Sequence, residues 1–192
     1  MLKFILLCIV AISGYYAWSV FPIKHGPGVT APNKPNYKYV AWNTPFNFKG
    51  NTLEPVRNIS GQVRVLAKKQ YFFDERKELS PIDILVGWDE MSDERNVEFI
   101  QFSLNNRYFD MEYTRPPIPE KKMYQQMELL HLIPSTPEIE KQVKRLRSGS
   151  IISIEGVIVN VESNENFNWT SDITSRNEKE LRNLILWLTK LN

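Results

Sequence analysis

Cysteine is almost absent from this sequence, whose 192 residues include a single one, Cys8, in an apolar N-terminal stretch. The rest of the chain therefore has no thiol for a disulfide, a cysteine nucleophile or a thiolate metal site. Histidine is nearly as rare, with His25 and His131 as its two examples. A metal site in the folded part would have to rest on carboxylates, which argues against zinc. We predict no metal and no cofactor.

The sequence also lacks the short motifs of common enzyme classes. It contains no Gly-x-Ser-x-Gly and no glycine-rich phosphate loop. A basic excess is missing as well, because without Lys3 and Lys24 the 24 basic residues fall to 22, equal to the 22 acidic ones. A nucleic-acid-binding protein is expected to carry a basic stripe. We predict no nucleic-acid partner and favour a protein that is not an enzyme.

A long apolar run stands at the start of the chain. Residues 4–21 carry no charge, and as a helix rising about 1.5 Å per residue they would cover about 27 Å, close to the roughly 30 Å hydrocarbon core of a bilayer. The run predicts a transmembrane helix, while a cleaved signal peptide stays open as the alternative. We predict a single-pass protein of the inner (cytoplasmic) membrane with its C-terminal domain in the periplasm.

The remaining chain divides into two parts. Four prolines and two glycines in residues 22–36 are typical of an extended linker. The predicted organisation is a transmembrane anchor over 1–24, a Pro/Gly-rich linker over 25–36, and one periplasmic β-rich domain over 37–192.

Local patterns predict the elements of that domain. Alternating apolar residues indicate a strand over 59–67, and Asn105-Asn106 indicates a hairpin turn. Ser80-Pro81 favours one or two helical turns over 80–88. A helix over 137–147 can be capped by Ser135 or Thr136. Residues 184–191 fit either a strand or a helix.

Residues 150–161 form the strongest predicted strand. Its apolar residues change phase at Glu155-Gly156, which predicts a bulge there. The predicted fold class is α+β, with the transmembrane helix followed by a mainly β, small, partly closed barrel-like domain and one amphipathic helix over about 137–147.

Three groups of residues are candidates for chemistry. His131 lies among apolar residues, which is typical of a hydrogen-bonded structural histidine; with Asp83 or Asp93 it would be a catalytic pair. An acidic cluster around Met91-Ser92 is predicted to be a solvated loop. The candidate binding residues are Trp88, Trp169, Ser171 and Arg176, because an exposed tryptophan beside an arginine is typical of binding hot spots.

Several of these residues also carry a family resemblance over residues 59–176. The segments Ser80-Pro81-Ile82-Asp83, Gly87-Trp88, Met91-Ser92-Asp93, Arg107-Tyr108, His131-Leu132-Ile133-Pro134 and Trp169-Thr170-Ser171 with Arg176 resemble a family of uncharacterised, membrane-anchored proteins of Gram-negative bacteria. The family pattern continues into a Gly-rich turn and a Cys-Glu pair, where this chain has Asn177-Glu178-Lys179-Glu180. The resemblance implies an envelope location and no particular activity.

Three functions remain open from the sequence. The first is a non-enzymatic binding or scaffolding domain with a protein partner in the cell envelope, tethered to the membrane by residues 4–21. The second is a hydrolase-like enzyme that uses His131 with a nearby carboxylate. The third is a small barrel that binds a small ligand or a glycan.

Overall fold

A computed structural model describes residues 4, 6–10, 13–14, 21–163, 167–173 and 181–192. The strands are β1 (Asn36–Tyr39), β2 (Phe46–Phe48), β3 (Asn51–Gln70), β4 (Ile82–Gly87), β5 (Gln101–Asn105), β6 (Tyr108–Glu112), β7 (Met127–Pro134), β8 (Ile151–Ser163), β9 (Asn168–Trp169) and β10 (Asn183–Leu191). A 3₁₀ helix, Asp89–Ser92, precedes the helices α1 (Glu94–Val97), α2 (Glu120–Gln125) and α3 (Pro137–Arg145).

Five of the strands close into a ring in the order β3, β4, β7, β10, β8 and back to β3. The pairing of β7 with β10 is parallel and the other four are antiparallel. An apolar core fills the inside of the ring, with members such as Val65, Ile84, Leu130, Ile158 and Leu186 from the five strands. Burial of this core stabilises the closed arrangement.

Two further apolar clusters cover the outside of the ring. The hairpin β5–β6 and α2 pack over Leu85 and Leu129, while β2 and β9 pack over Ile133 and Val159. All residues of β4 and β7 are therefore buried. A strand covered on both faces shows no alternation of apolar and polar residues.

The predicted fold class is wrong in placing a transmembrane helix at the start of the chain. In the part of the chain that the structure describes, no helix has the length and apolarity needed to cross a bilayer. Residues 5, 11–12 and 15–20 of the predicted span lie outside the described residues, and residues 4, 6–10 and 13–14 are helical. The β-rich character of the domain is confirmed. In its described residues the short helices α1, α2 and α3 accompany the sheet.

Most predicted elements lie where the sequence placed them. The helix α3 begins at Pro137, and the side chain of Thr136, not that of Ser135, accepts the N–H of Ile139. Residues 184–191 belong to a strand, β10. The predicted helical turns over 80–88 are wrong, because Ile82–Gly87 is strand β4.

The predicted bulge in β8 does not explain why its apolar residues change from one face of the strand to the other. Before Gly156 the outer face of β8 is exposed or half-buried, and after it Val157 and Val159 are buried under β2 and β9. The register irregularity lies on the neighbouring strand, between Leu188 and Lys190 of β10. Gly156 permits that close approach, since a Cβ there would lie 2.5 Å from the Trp187 carbonyl oxygen.

The stretch predicted as an extended linker lies against the domain. The N–H groups of Thr30 and Ala31 donate to the Ser92 hydroxyl oxygen at 3.1 and 3.0 Å, and Ala31 is fully buried. The Ile23 N–H donates to the carbonyl of Ser148 at 2.8 Å. Residues 22–31 therefore form an N-terminal strap along one end of the ring.

Candidate functional site

Arg107 occupies a tight turn between β5 and β6. Asn106 and Arg107 both have positive φ, 49° and 68°, which is the conformation of a two-residue hairpin turn. The turn carries the Arg107 side chain beneath the loop that joins β3 to β4, where it is only 7% exposed. An arginine so deeply buried needs charged and polar partners.

The Arg107 guanidinium reaches two carboxylates and one carbonyl. Its Nη1 lies 2.8 Å from Asp83 Oδ1, and its Nη2 lies 2.5 Å from Asp74 Oδ1. Nη2 also donates to the carbonyl of Ser80 at 2.9 Å. The guanidinium lies over the Tyr71 ring at 3.8 Å, and the Arg107 N–H donates to the Tyr71 hydroxyl at 3.2 Å. One side chain thus ties the hairpin turn to the β3–β4 loop.

His131 completes the group through the sheet register. Asp83 on β4 pairs directly with His131 on β7, so both side chains point to the same face, outside the ring. His131 Nδ1 lies 2.9 Å from Asp83 Oδ1, although the N–H is not aimed well enough for a hydrogen bond. Asp74, Asp83, Arg107 and His131 together form what we call the Arg107 cluster.

Trp169 closes the cluster on its outer side. Its ring lies 4.7 Å from the His131 ring, 4.8 Å from the Arg76 guanidinium and 5.6 Å from that of Arg107. Two cations beside one indole face form a cation–π arrangement. Trp169 is half-buried, whereas His131 is 2% exposed and Asp83 is fully buried.

Neighbouring groups shift the pKa values of Asp74, Arg107 and Tyr71. Burial opposes ionisation of Asp74, but the hydrogen bond and charge of Arg107 outweigh it and lower the pKa of that carboxyl. The pKa of Arg107 is raised, because its bonds to the carboxylates exceed the cost of burial. Burial, followed by the nearby Asp83 carboxylate, raises the pKa of the Tyr71 phenol. At neutral pH Asp74 and Arg107 are therefore an ion pair.

Exposed aromatic side chains flank the Arg107 cluster on both of the loops that it joins. On the β3–β4 loop, Phe72 is 62% exposed and Phe73 is fully exposed. On the hairpin, Tyr108 directly follows Arg107 and is 70% exposed. We call Phe72, Phe73 and Tyr108 the aromatic surface. Large apolar side chains held in water on anchored loops are a common mark of interaction sites.

The structure separates the predicted binding residues. Trp88 is 3% exposed and packs in the core inside the ring. The Ser171 hydroxyl donates to the Val159 carbonyl at 2.7 Å and accepts the Ile185 N–H at 2.9 Å, which joins β8 to β10. Arg176 lies outside the described residues. Only Trp169 of these four is seen at the Arg107 cluster.

The predicted acidic loop is not simply solvated. Asp93 caps α1, and its two carboxylate oxygens accept hydrogen bonds from Arg95 Nε and Nη2. It also accepts the Gly28 N–H at 3.1 Å. Glu94 lies 2.5 Å from Arg64 Nη2 and accepts the His25 N–H at 2.9 Å. These contacts fasten the N-terminal strap to the domain. Asp93 follows the end of β4, whereas His131 pairs with Asp83 near the start of that strand. Asp93 and His131 therefore lie at opposite ends of β4. No metal-binding group of three or more acidic, histidine or cysteine side chains occurs among the described residues.

Sequence reasoning missed the residues of the β3–β4 loop. Tyr71, Phe72, Phe73 and Asp74 had no periodic pattern, and the run that follows them indicated only a polar loop. The adjacent aromatic pair Phe72-Phe73 beside a charged run was the available signal. Asp83, Arg107, His131 and Trp169, which carried the family resemblance, do meet in the structure.

Compared with known proteins, the chain matches no protein-family model, no curated protein and no solved structure. The resemblance described above stays a prediction.

Proposed function

We propose that this domain is a non-enzymatic binding module whose aromatic surface contacts a protein partner. The observation that carries the proposal is the exposure of Phe72 and Phe73 on the β3–β4 loop and of Tyr108 at the start of β6. Arg107 fastens this loop to the β5–β6 hairpin. Anchored aromatic residues lose little conformational entropy on binding and dominate interface energetics.

The buried charges beneath this surface support its role. Ion pairs as deeply buried as that of Arg107 with Asp83 cost desolvation energy, and they hold both loops in one arrangement. A binding surface that is ordered before it meets its partner binds at a lower entropic cost.

A matched pair of variants tests the proposal. Phe72→Ser with Phe73→Ser removes the exposed rings of the β3–β4 loop, and Phe99→Ser removes a comparably exposed ring (64%) elsewhere. We expect quantitative affinity purification from the native cells, with crosslinking and mass spectrometry, to recover a partner at least tenfold less with the double variant. The Phe99→Ser protein should recover it within twofold of wild type. Undiminished recovery with the double variant, or no partner with wild type, contradicts the proposal.

A hydrolase-like activity is the second candidate, because His131 Nδ1 lies 2.9 Å from Asp83 Oδ1. Two observations weigh against it. The histidine is 2% exposed, and the same carboxylate oxygen also receives Arg107 at 2.8 Å. A general base must reach its substrate or a water molecule. Hydrolysis of ester or amide substrates that His131→Gln abolishes in a folded protein would favour this candidate over binding.

A further inference from the structure

Strand β6 has one edge that no described strand covers. Within the described chain it pairs only with β5. In a hairpin with a two-residue turn, the closing pair Asn105 and Tyr108 bond to each other, and the alternate residues Phe109 and Met111 direct their main-chain groups outward. The Met111 N–H accordingly donates to its neighbour Asp110 at 2.9 Å and not to β5.

A groove runs along this free edge. It has a volume of about 420 Å³, with Tyr108, Phe109, Asp110 and Met111 of β6 on one side. Asp172, Leu181 and Asn183, the first residue of β10, also line it. Pockets that bind ligands commonly range from about 300 to 1,000 Å³. We call this space the β6 groove.

The β6 groove is acidic and aromatic. Asp110 is exposed beside it, and Tyr113, which also lines it, donates to Glu120 at 2.8 Å. Burial, then the charges of Glu120 and Asp110, raise the pKa of Tyr124, which also lines the groove. Among the described residues that line it there is no lysine or arginine.

We propose that the β6 groove binds an extended, basic segment of a protein partner, which adds to β6 as a further strand. The outward groups of Phe109 and the carbonyl of Met111 supply main-chain hydrogen bonds, as in other cases of strand addition. The Met111 N–H joins them by exchanging its bond with the Asp110 carboxylate for one with the peptide. Asp110 and Glu120 supply the opposite charge, and the tyrosine rings offer faces to lysine or arginine side chains. This inference rests on the proposed function and adds to it the chemistry of the partner.

Selection from a random library of 12-residue peptides displayed on phage tests the proposal with the full chain. We expect enriched peptides to be basic, to alternate in polarity and to lack proline. Synthetic copies should bind wild type at least tenfold more tightly than the Asp110→Lys variant. The control Glu98→Lys, which reverses an exposed charge outside the groove, should change binding less than twofold.

Amide hydrogen exchange by NMR supplies a second readout. A bound peptide should slow exchange of the Phe109 and Met111 amides at least tenfold. The proposal is overturned if no peptide is enriched, if enriched peptides are acidic, if Asp110→Lys leaves binding unchanged, or if those two amides are not protected. The Phe72 and Phe73 variants judge the proposed function separately, so a partner lost with them but no peptide for the groove would refute only strand addition.

Discussion

A buried arginine lies beside each end of strand β4, and the two arginines differ in what covers them. Arg64 lies beside Gly87, at the end of β4, and Arg107 lies against Asp83, near its start. Arg64 is 4% exposed and contacts Glu94 at 2.5 Å and the Ser92 carbonyl at 3.1 Å. Arg107 contacts Asp74 at 2.5 Å and the Ser80 carbonyl at 2.9 Å.

The two ends differ in whether another part of the chain covers the arginine. The N-terminal strap covers the Arg64 end through hydrogen bonds to Ser92, Asp93 and Glu94. At the Arg107 end, the described chain leaves Phe72, Phe73 and Tyr108 in solvent. We call the two the covered end and the open end. The same kind of buried ion pair fastens the chain to itself at one end and supports an uncovered surface at the other.

The largest expected effect is the loss of either arginine. Arg107→Ala would leave the fully buried Asp83 without its cation, and we expect it to lower the free energy of unfolding by about 3–5 kcal/mol. Arg64→Ala should cost less, about 2–3 kcal/mol, because its partner Glu94 is 15% exposed and regains water. Urea unfolding of both variants measures which one loses more free energy of unfolding. An equal or larger loss for Arg64→Ala would mean that the deeper burial of Asp83 does not make the Arg107 contacts more costly to lose.

Gly149→Ala should open the covered end. Gly149 has a φ of +87°, and a Cβ there would lie 1.9 Å from the Ile23 carbonyl oxygen. We expect a loss of about 2 kcal/mol from backbone strain and detachment of the strap. Trypsin should then cut after Lys24 at least tenfold faster than in wild type. Unchanged cleavage would show that the strap does not depend on this close approach.

Each end also has a buried serine, Ser92 at the covered end and Ser80 at the open end. The Ser92 hydroxyl accepts the N–H groups of Thr30 and Ala31 and donates to the Asp89 carbonyl at 2.8 Å. We expect Ser92→Ala to lower stability by about 2 kcal/mol, because buried N–H groups lose their acceptor. Ser80 receives one long contact, 3.4 Å from Arg107, so Ser80→Ala should cost about 1 kcal/mol or less. Thermal unfolding followed by circular dichroism compares the two variants.

Acid should loosen the covered end. The Arg95 hydrogen bonds are the main cause that lowers the pKa of Asp93, and bonds from His25 and Arg64 outweigh burial and lower that of Glu94. A carboxyl with a lowered pKa in the folded state stabilises it above the ordinary value near 4, and that contribution is lost as the pH falls further. We expect stability to decline below about pH 4. In Asp93→Asn, denaturant titrations at several pH values should give a shallower decline; an equally steep one would exclude Asp93 as a source.

The smallest expected effect belongs to the aromatic surface. Phe73 is fully exposed and Phe72 is 62% exposed, so replacing both by serine should change the free energy of unfolding by less than about 0.5 kcal/mol. Urea unfolding measures it. A loss above about 1.5 kcal/mol would mean that these rings pack in the folded chain and that the open end is not open.

Local signals in the sequence were enough for elements that depend on their own residues. Thr136 and Pro137 begin α3 because a cap and a first-turn proline act within one turn. Asn105-Asn106 likewise predicts the hairpin, although its turn lies one residue later, at Asn106 and Arg107, which have positive φ. These features do not depend on what packs against them.

Features set by the ring could not be read locally. Ser80-Pro81 favours helical turns, and no alternation of residues opposes them, because both faces of β4 are buried. The meeting of Asp83 with His131 follows from the register of β4 on β7. The N-terminal strap looked like a linker because its bonds run to Ser92 and Glu94, more than sixty residues away.

We propose that the open end meets a partner and that the covered end does not. A photo-crosslinking amino acid at position 73, compared with one at the exposed position 24 on the N-terminal strap, tests it directly in the native cells. We expect a discrete intermolecular adduct from position 73 and none from position 24. Any adduct from position 24, or none from position 73, would refute this proposal.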